Sequence, residues 1–346
     1  MMNRIAVIIC CLCQLHVLAQ DTHFSQFYVA QSWLNPAASG HLTPAEITFT
    51  QRSQWASFTT PFKTTAASVS VRLTDAEKSK KGFWATGLQF MSDESGDGSL
   101  HINTVGLNTV YHVRLDKYQH LGLGLQGVLA SRTIDFSNFQ WASQYNGNNY
   151  DPTLPVGESA PNLGRRYMDF NTGLCYTLNN TSNYIKVTSN NYRQFTAGLS
   201  LHHINRPNVS FFGSDDRLYT KMVMHSNGLF SLFNSPLAIQ PSLLFMKQGP
   251  HEEFTVGGLL RYEFNGDSKY TALKREISVS AGAHYRLRDA IVLAALLQYG
   301  QYNVGIGYDI NVSKLTGSTL GRGAFEFNVR MAFNQLNKLA TTASRD

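Results

Sequence analysis

A handful of residues in this chain have the types and spacings that do chemistry elsewhere. In the run DESGDG, Asp93, Ser95, Asp97 and Gly98 stand where a calcium loop places its first oxygen ligands and its turn glycine. The twelfth position is Thr104, which has no carboxylate to close the shell, so a polar exterior hairpin is the preferred reading and Asp93, Ser95 and Asp97 remain the candidate cation ligands. GLGLQG at 122–127 matches a dinucleotide fingerprint by letter, but that motif needs a helix after it. Here it lies inside an alternating run, and glycines facing a crowded interior account for it. His202 and His203 are adjacent, so in a strand they point to opposite faces and cannot hold one metal together. His251-Glu252-Glu253 follows Gly249-Pro250 and reads as a solvated turn. No GxSxG elbow, HExxH pair or convincing pair of carboxylates is present. No enzyme and no cofactor are expected.

The elements that carry these residues repeat with a period of two. Leu121, Leu123, Leu125 and Leu129 share one face while Gly122, Gly124 and Gln126 share the other. Ile277, Val279, Ala281, Ala283 and Tyr285 oppose Ser278, Ser280, Gly282 and His284. Phe325, Phe327, Val329, Met331 and Phe333 alternate with Glu326, Asn328 and Arg330. Side chains at i and i+2 share a face of a strand, so these runs are apolar on one side and small or polar on the other. About fourteen such segments occur, near 45–53, 64–73, 82–91, 100–114, 118–133, 167–177, 192–205, 218–232, 237–248, 253–264, 276–285, 290–298, 301–310 and 323–333. A tilted strand of ~9–11 residues crosses a bilayer, and its inward positions can be polar. The mean hydropathy of −0.20 therefore does not exclude a membrane protein. The expected fold is all-β: an antiparallel transmembrane β-barrel of about 14 strands spanning 45–333, with both termini on the periplasmic side. Tyr111, Tyr176, Tyr192, Tyr262, Tyr285 and Tyr308 fall near strand ends, where an interfacial aromatic girdle is expected.

Composition agrees. Charged residues make up only 15% of the 346, against about 25% in ordinary soluble domains. The net charge of +6 is scattered with no basic stripe, so nucleic acid is not an expected partner. Arg4, the apolar run Ile5–Cys13 and Ala19 before Gln20 read as a cleavable signal peptide over 1–19, which implies export. Its loss removes Cys10, Cys11 and Cys13 and leaves Cys175 alone, so a disulfide within the remaining chain is excluded. Cys175 lies in an alternating run and reads as a lipid-facing or wall-packed thiol. The long polar stretch Asp135–Arg166, with Arg206–Arg217 and Ser313–Arg322, is expected outside the cell; the connections at 178–191 and 265–275 are longer than periplasmic turns usually are. Residues 334–346 form an expected periplasmic tail.

The segment 20–44 precedes the first strand and mixes aromatic and polar residues. It can fold into the lumen as a short plug, lie across the periplasmic mouth, or simply lead into strand one. Asn35-Pro36 favours a turn, because proline fixes φ and asparagine accepts a local hydrogen bond.

FSQFYVAQSWLNPAASG (Phe24–Gly40) resembles the opening of the PorP/SprF family of type IX secretion membrane proteins. The likeness continues in QRSQWASFTTPFKT (51–64), GLSLHHINRPNVSF (198–211), the hairpin region 284–315 and GAFEFNVRMAF (323–333). It departs at Gly307, where members often carry serine, and in the extra residues Asn334–Asp346. The resemblance implies an outer-membrane barrel that supports type IX secretion and surface attachment of a large cargo such as a gliding adhesin. The implied partners are outer-membrane lipid, secretion components and a surface protein with a C-terminal sorting domain. Phe24, Ser25, Gln26, Asn35, Pro36, Gly40, Gln54, Trp55, Tyr308, Asp309 and Asn311 are the signature positions it carries over. Barrels that transport fatty acids also have about fourteen strands and an NPA-containing hatch, so a carrier of small hydrophobic molecules is the alternative. A filled lumen favours protein partners; an apolar pocket behind the hatch favours transport.

Overall fold

The computed structural model describes residues 21–55, 60–74, 79, 81–96, 100–134, 141–155, 164–180, 193–211, 214–232, 235–265, 277–313, 316 and 320–333. The expected signal peptide, the tail 334–346, Asp97 and Tyr192 lie outside them.

The alternating runs form fourteen strands: β1 Ala45–Gln54, β2 Phe62–Arg72, β3 Gly82–Ser95, β4 Leu100–Arg114, β5 Gln119–Thr133, β6 Gly164–Asn180 and β7 Arg193–His202. The second half adds β8 Lys221–Ser231, β9 Leu237–Gln248, β10 His251–Asn265, β11 Ile277–Arg286, β12 Ala290–Tyr299, β13 Tyr302–Asn311 and β14 Arg322–Phe333. Each pairs antiparallel with its sequence neighbours, and β1 closes on β14 from Ala45↔Phe333 to Gln54↔Ala324. Closure leaves no unpaired edge, the condition for a sheet to stand in hydrocarbon. Among the described residues no helix is long and apolar enough to cross a membrane.

Burial runs opposite to that of a soluble protein. Leu107 is 59% exposed while its neighbour Asn108 is 1%; Leu125 is 64% exposed while Gln126 is 6%. The apolar face points out and the polar face in, as a lipid-facing wall requires. Even strand number places Ala45 and Phe333 at one rim, here the closure mouth. Gln54, Gly164, His202 and Arg322 lie at the other, the loop mouth, from which the intervals 134–163, 203–220 and 312–321 leave the sheet. Aromatic side chains mark both rims. Trp84 and Tyr111 pack with centroids 4.8 Å apart near the closure mouth, and Tyr285 and Tyr308 stand exposed near the other.

Residues 21–44 cross the lumen from mouth to mouth. Asp21 donates its backbone N–H to Gln248 at the loop mouth, and Pro44 accepts from the Arg72 backbone at the closure mouth. Between them lie two short 3-10 turns, Gln31–Trp33 and Pro36–Ala38. Phe27 and Leu34 pack on Val223, Leu244 and Met246; Val29 packs with Leu259, Ala294 and Leu296. Of the three placements open from sequence, this is the plug. Strand parity fixes only the sheet: the described chain starts at the loop mouth and β14 ends at the closure mouth, so one shared side for both ends does not follow. The termini themselves, expected on the periplasmic side, lie outside the described residues.

Of the two readings of Cys175, lipid-facing or wall-packed, the structure takes the second, and two other side-chain expectations change. Cys175 faces the lumen, fully buried with Ala37, Ala38, Ala85 and Val110. His251 opens β10 opposite Gln248 instead of lying in a turn. His203 follows the end of β7 with φ +57°, and this left-handed step turns its ring to the same inner side as that of His202.

Candidate functional site

Ser25 is the centre of the most heavily bonded group in the lumen. Its hydroxyl donates to Asp309 Oδ2 at 2.8 Å, accepts from Arg286 Nη2 at 2.8 Å and accepts from Arg52 Nη1. A hydroxyl has one hydrogen to give and two lone pairs to offer, so all its capacity is used. The backbone N–H groups of Ser25 and Gln26 donate to the two oxygens of Glu326, at 2.7 and 2.9 Å. Arg52 also bridges Asp309 at 3.0 Å and Glu326 at 3.3 Å, and Arg286 reaches Asp309 at 3.2 Å. Two arginines and two carboxylates therefore balance around one serine, with each of the four side chains at most 5% exposed. Further out, Arg286 pairs with Glu253 at 3.4 Å and with Asp289 at 3.1 Å. Buried charges persist where they are paired and hydrogen-bonded, and these are both. Asp309 sits where the β13–β14 register slips, opposite Gly323. A Cβ there would lie 2.5 Å from the Asp309 carbonyl oxygen, so the absence of a side chain permits the slip.

A second contact seats the turn at Asn35-Pro36. The Asn35 side chain accepts from the Ala37 N–H at 2.9 Å and so caps the 3-10 turn, with Pro36 at its first position. Its amide donates to the Leu174 carbonyl at 2.7 Å and lies 3.2 Å from His225 Nε2. Four glycines of the wall lie beneath the turn. A Cβ on Gly124 would lie 2.5 Å from Ala37 N, one on Gly122 3.1 Å from Ala37 O, and those on Gly173 and Gly198 would overlap the Asn35 amide group. The GLGLQG run is thus half of a glycine floor on which the plug rests.

At the loop mouth His203 lies between two carboxylates, Nε2 to Asp21 at 2.6 Å and Nδ1 to Asp169 at 2.8 Å, with Lys221 3.5 Å from Asp21. Burial works against the imidazolium, but Asp21 and Asp169 outweigh it and push His203 up to about 9. Burial likewise works against the Asp21 carboxylate, yet Lys221 and His203 hold it well below the usual range. A free histidine titrates near ~6.5. The folded value is the higher one, so stabilisation by His203 is fully present below ~6.5 and is lost as pH rises through about 9. Wild-type protein is therefore expected to lose thermal stability between about pH 7 and pH 10 more steeply than His203→Asn, which keeps the left-handed backbone accessible. Equal slopes would remove His203 as the cause.

The signature positions separate into groups. Ser25, Gln26 and Asp309 meet at the charge cluster, with Phe24 edge-on to Trp33 at 6.3 Å beside it. Asn35 and Pro36 meet the glycine floor. Gly40, at φ +70°, presses on Ala85, where a Cβ would lie 2.6 Å from the Ala85 Cβ. Gln54 and Trp55 stand at the loop rim, Trp55 edge-on to Phe62 at 5.1 Å. Asn311 donates to the Arg322 carbonyl at 3.2 Å, and Tyr308 faces outward. Of the candidate cation ligands, Asp93 is turned inward and bonded to Thr64 and Ser95. Among the described residues no group of three or more His, Cys, Asp or Glu side chains is arranged to hold a metal. Arg52, Arg286, His225 and Asp169 went unremarked in the sequence, and Glu326 figured there only as a polar residue of an alternating strand. The available signal was that a charged residue on the inward face of a barrel strand needs a partner.

The model for the family described as type IX secretion system membrane protein PorP/SprF matches residues 17–331. A search of curated proteins finds no match. Among solved structures the chain is similar to a Pseudomonas aeruginosa FadL homologue, with 10% identity and a TM-score of 0.44 over 88% of this chain and 94% of that one. It is also similar to BamA from Haemophilus ducreyi lacking POTRA domains 1–3, with 12% identity and a TM-score of 0.42 over 84% and 70%. A third is the translocator domain of the autotransporter NalP from Neisseria meningitidis, with 9% identity and a TM-score of 0.33 over 88% and 92%.

Proposed function

The chain belongs to the PorP/SprF family of type IX secretion system membrane proteins, an outer-membrane barrel family, and on that premise we propose that it is a non-catalytic partner in secretion. It holds the C-terminal sorting region of a large exported surface protein, such as a gliding adhesin, while that protein is delivered and attached. The observation that carries this reading is the filled lumen. A barrel packed along its length by its own residues 21–44 has its mouths and loops left as working surfaces. The same reading sets the loop mouth outside the cell, with its long intervals available to the cargo, and Phe333 toward the periplasm. Residues 1–19 are removed on export.

Affinity capture of the tagged protein from detergent-solubilised outer membrane, with crosslinking and mass spectrometry, tests it. Crosslinks from the C-terminal region of a large surface protein to residues of the 134–163 or 203–220 intervals are the expected result. Recovery of the barrel without protein partners, under conditions that preserve other outer-membrane complexes, would instead favour carriage of a small hydrophobic molecule.

A further inference from the structure

At one place on the loop mouth like charges face each other across a strand pair. Arg132 of β5 is the Cα partner of Arg165 of β6, and in the next register Ser131 partners Arg166. Alternation turns Arg132 and Arg165 inward and Arg166 outward. Among the described residues no carboxylate forms an ion pair with any of the three. Arg165 Nε donates to the Asn208 carbonyl at 3.4 Å; the Arg132 guanidinium lies 5.7 Å from the Phe211 ring, and its Nε is buried without a partner. Like charges directly opposite each other destabilise a sheet. An anion beside Arg165 offsets that cost.

The space for one is there. A cavity of about 470 Å³ is lined by Ser131, Thr133, Gly164, Arg165 and Arg166. Two residues further into the wall, Leu129 pairs with Met168, and both are more than half exposed on the outward face. Arg166 and the two hydroxyls therefore stand just above the lipid-facing band, at the depth of headgroups.

We propose that Arg165 and Arg166, which both line the cavity, form a site for the phosphate of an anionic amphiphile in the leaflet at the loop mouth, with Arg132 adding positive charge from the lumen side. The planar guanidinium presents paired N–H donors that match phosphate oxygens, and Ser131 and Thr133 add hydroxyl donors. The acyl chains run over Leu129 and Met168. A soluble phosphate would use the arginines and leave that apolar column bare, which is why the lipid is the favoured source. The site is separate from the charge cluster at Ser25, and the choice of lipid rests on the orientation given with the proposed function, which sets the loop mouth outside.

Native mass spectrometry of the full barrel in detergent provides the test, with three probes: a bisphosphorylated lipid A, its dephosphorylated counterpart and inorganic phosphate. The phosphorylated lipid is expected to be retained about tenfold more tightly than the dephosphorylated one. Arg165→Gln with Arg166→Gln is expected to abolish that preference, while Arg288→Gln, at the same mouth but away from the cavity, leaves it intact. Equal retention of the two lipids by the wild-type protein overturns the proposal without recourse to any variant. So does a preference unchanged in the double variant that still migrates as a folded barrel, or displacement of the lipid by inorganic phosphate at equal concentration.

Discussion

Gly124→Val is expected to unseat the plug and open a lumen that the wild-type chain keeps closed. The Cβ would lie 2.5 Å from Ala37 N and 2.7 Å from Ala37 Cα, and neither is the tip of a flexible side chain that could swing away. Overpacking of this kind costs ~1–3 kcal/mol. The strain falls on the weaker partner, since β5 is paired on both sides along its length and the 3-10 turn is not. Cys175 supplies the readout. It is the Cα partner of Gly122 and is buried against Ala37 and Ala38, so its thiol is shielded while the turn is seated. Labelling by a small thiol reagent is expected to go from negligible to complete in the variant. Conductance in planar bilayers should rise, while heat-modifiable migration shows the barrel intact. Gly127→Ala, whose Cβ meets nothing closer than Phe170 at 3.9 Å, serves as the control. A shielded Cys175 in folded Gly124→Val would mean that the glycine floor does not hold the plug.

The second large effect is expected from Arg52→Ala. Removing one partner from a buried ion-pair network leaves the others charged and uncompensated, which costs about 3–5 kcal/mol. Here Asp309 would keep Arg286, Glu326 would lose the arginine it pairs with, and Ser25 would lose one of its two donors. The loss should appear as a lower thermal midpoint and as earlier exposure of Cys175. Glu326→Gln on the same background restores the charge balance but keeps only one good acceptor for the N–H groups of Ser25 and Gln26. Partial recovery follows, with a coupling of about 1–2 kcal/mol in a double-mutant cycle. Additive losses would show that Arg52 and Glu326 act independently and that the cluster is not a unit.

The wall was legible in the sequence because period-two alternation is a local property. Each of the fourteen strands falls within a few residues of its expected span, and the expected outward faces at Leu121–Leu129 and Ile277–Tyr285 are the exposed ones. The plug's contacts are of another kind. Ser25 and Glu326 stand 301 positions apart, and on its own strand Glu326 looks like any inward polar residue. The lumen-facing glycines at 122 and 124 were read correctly as filling a crowded interior. Nothing local indicates that Asn35 and Ala37 are what crowds them. His203 misled for a different reason: the rule that neighbours face opposite ways holds only while the strand continues, and the backbone leaves it after His202. The signature FSQ and NPA elements did mark two places where the plug meets the wall. They came from resemblance, not from any physical pattern in those residues.

The plug also constrains the order of assembly. Its two ends are held at opposite rims, and it is continuous with β1, one of the two strands that meet at the seam. If the seam formed first, the segment would have to be threaded lengthwise down a lumen already lined with inward side chains. With the sheet still open it can be laid sideways onto β4 to β7 and covered as β14 swings across to β1. A segment made before every strand is thus set among the last, and the final zipping of the wall is what makes its position permanent.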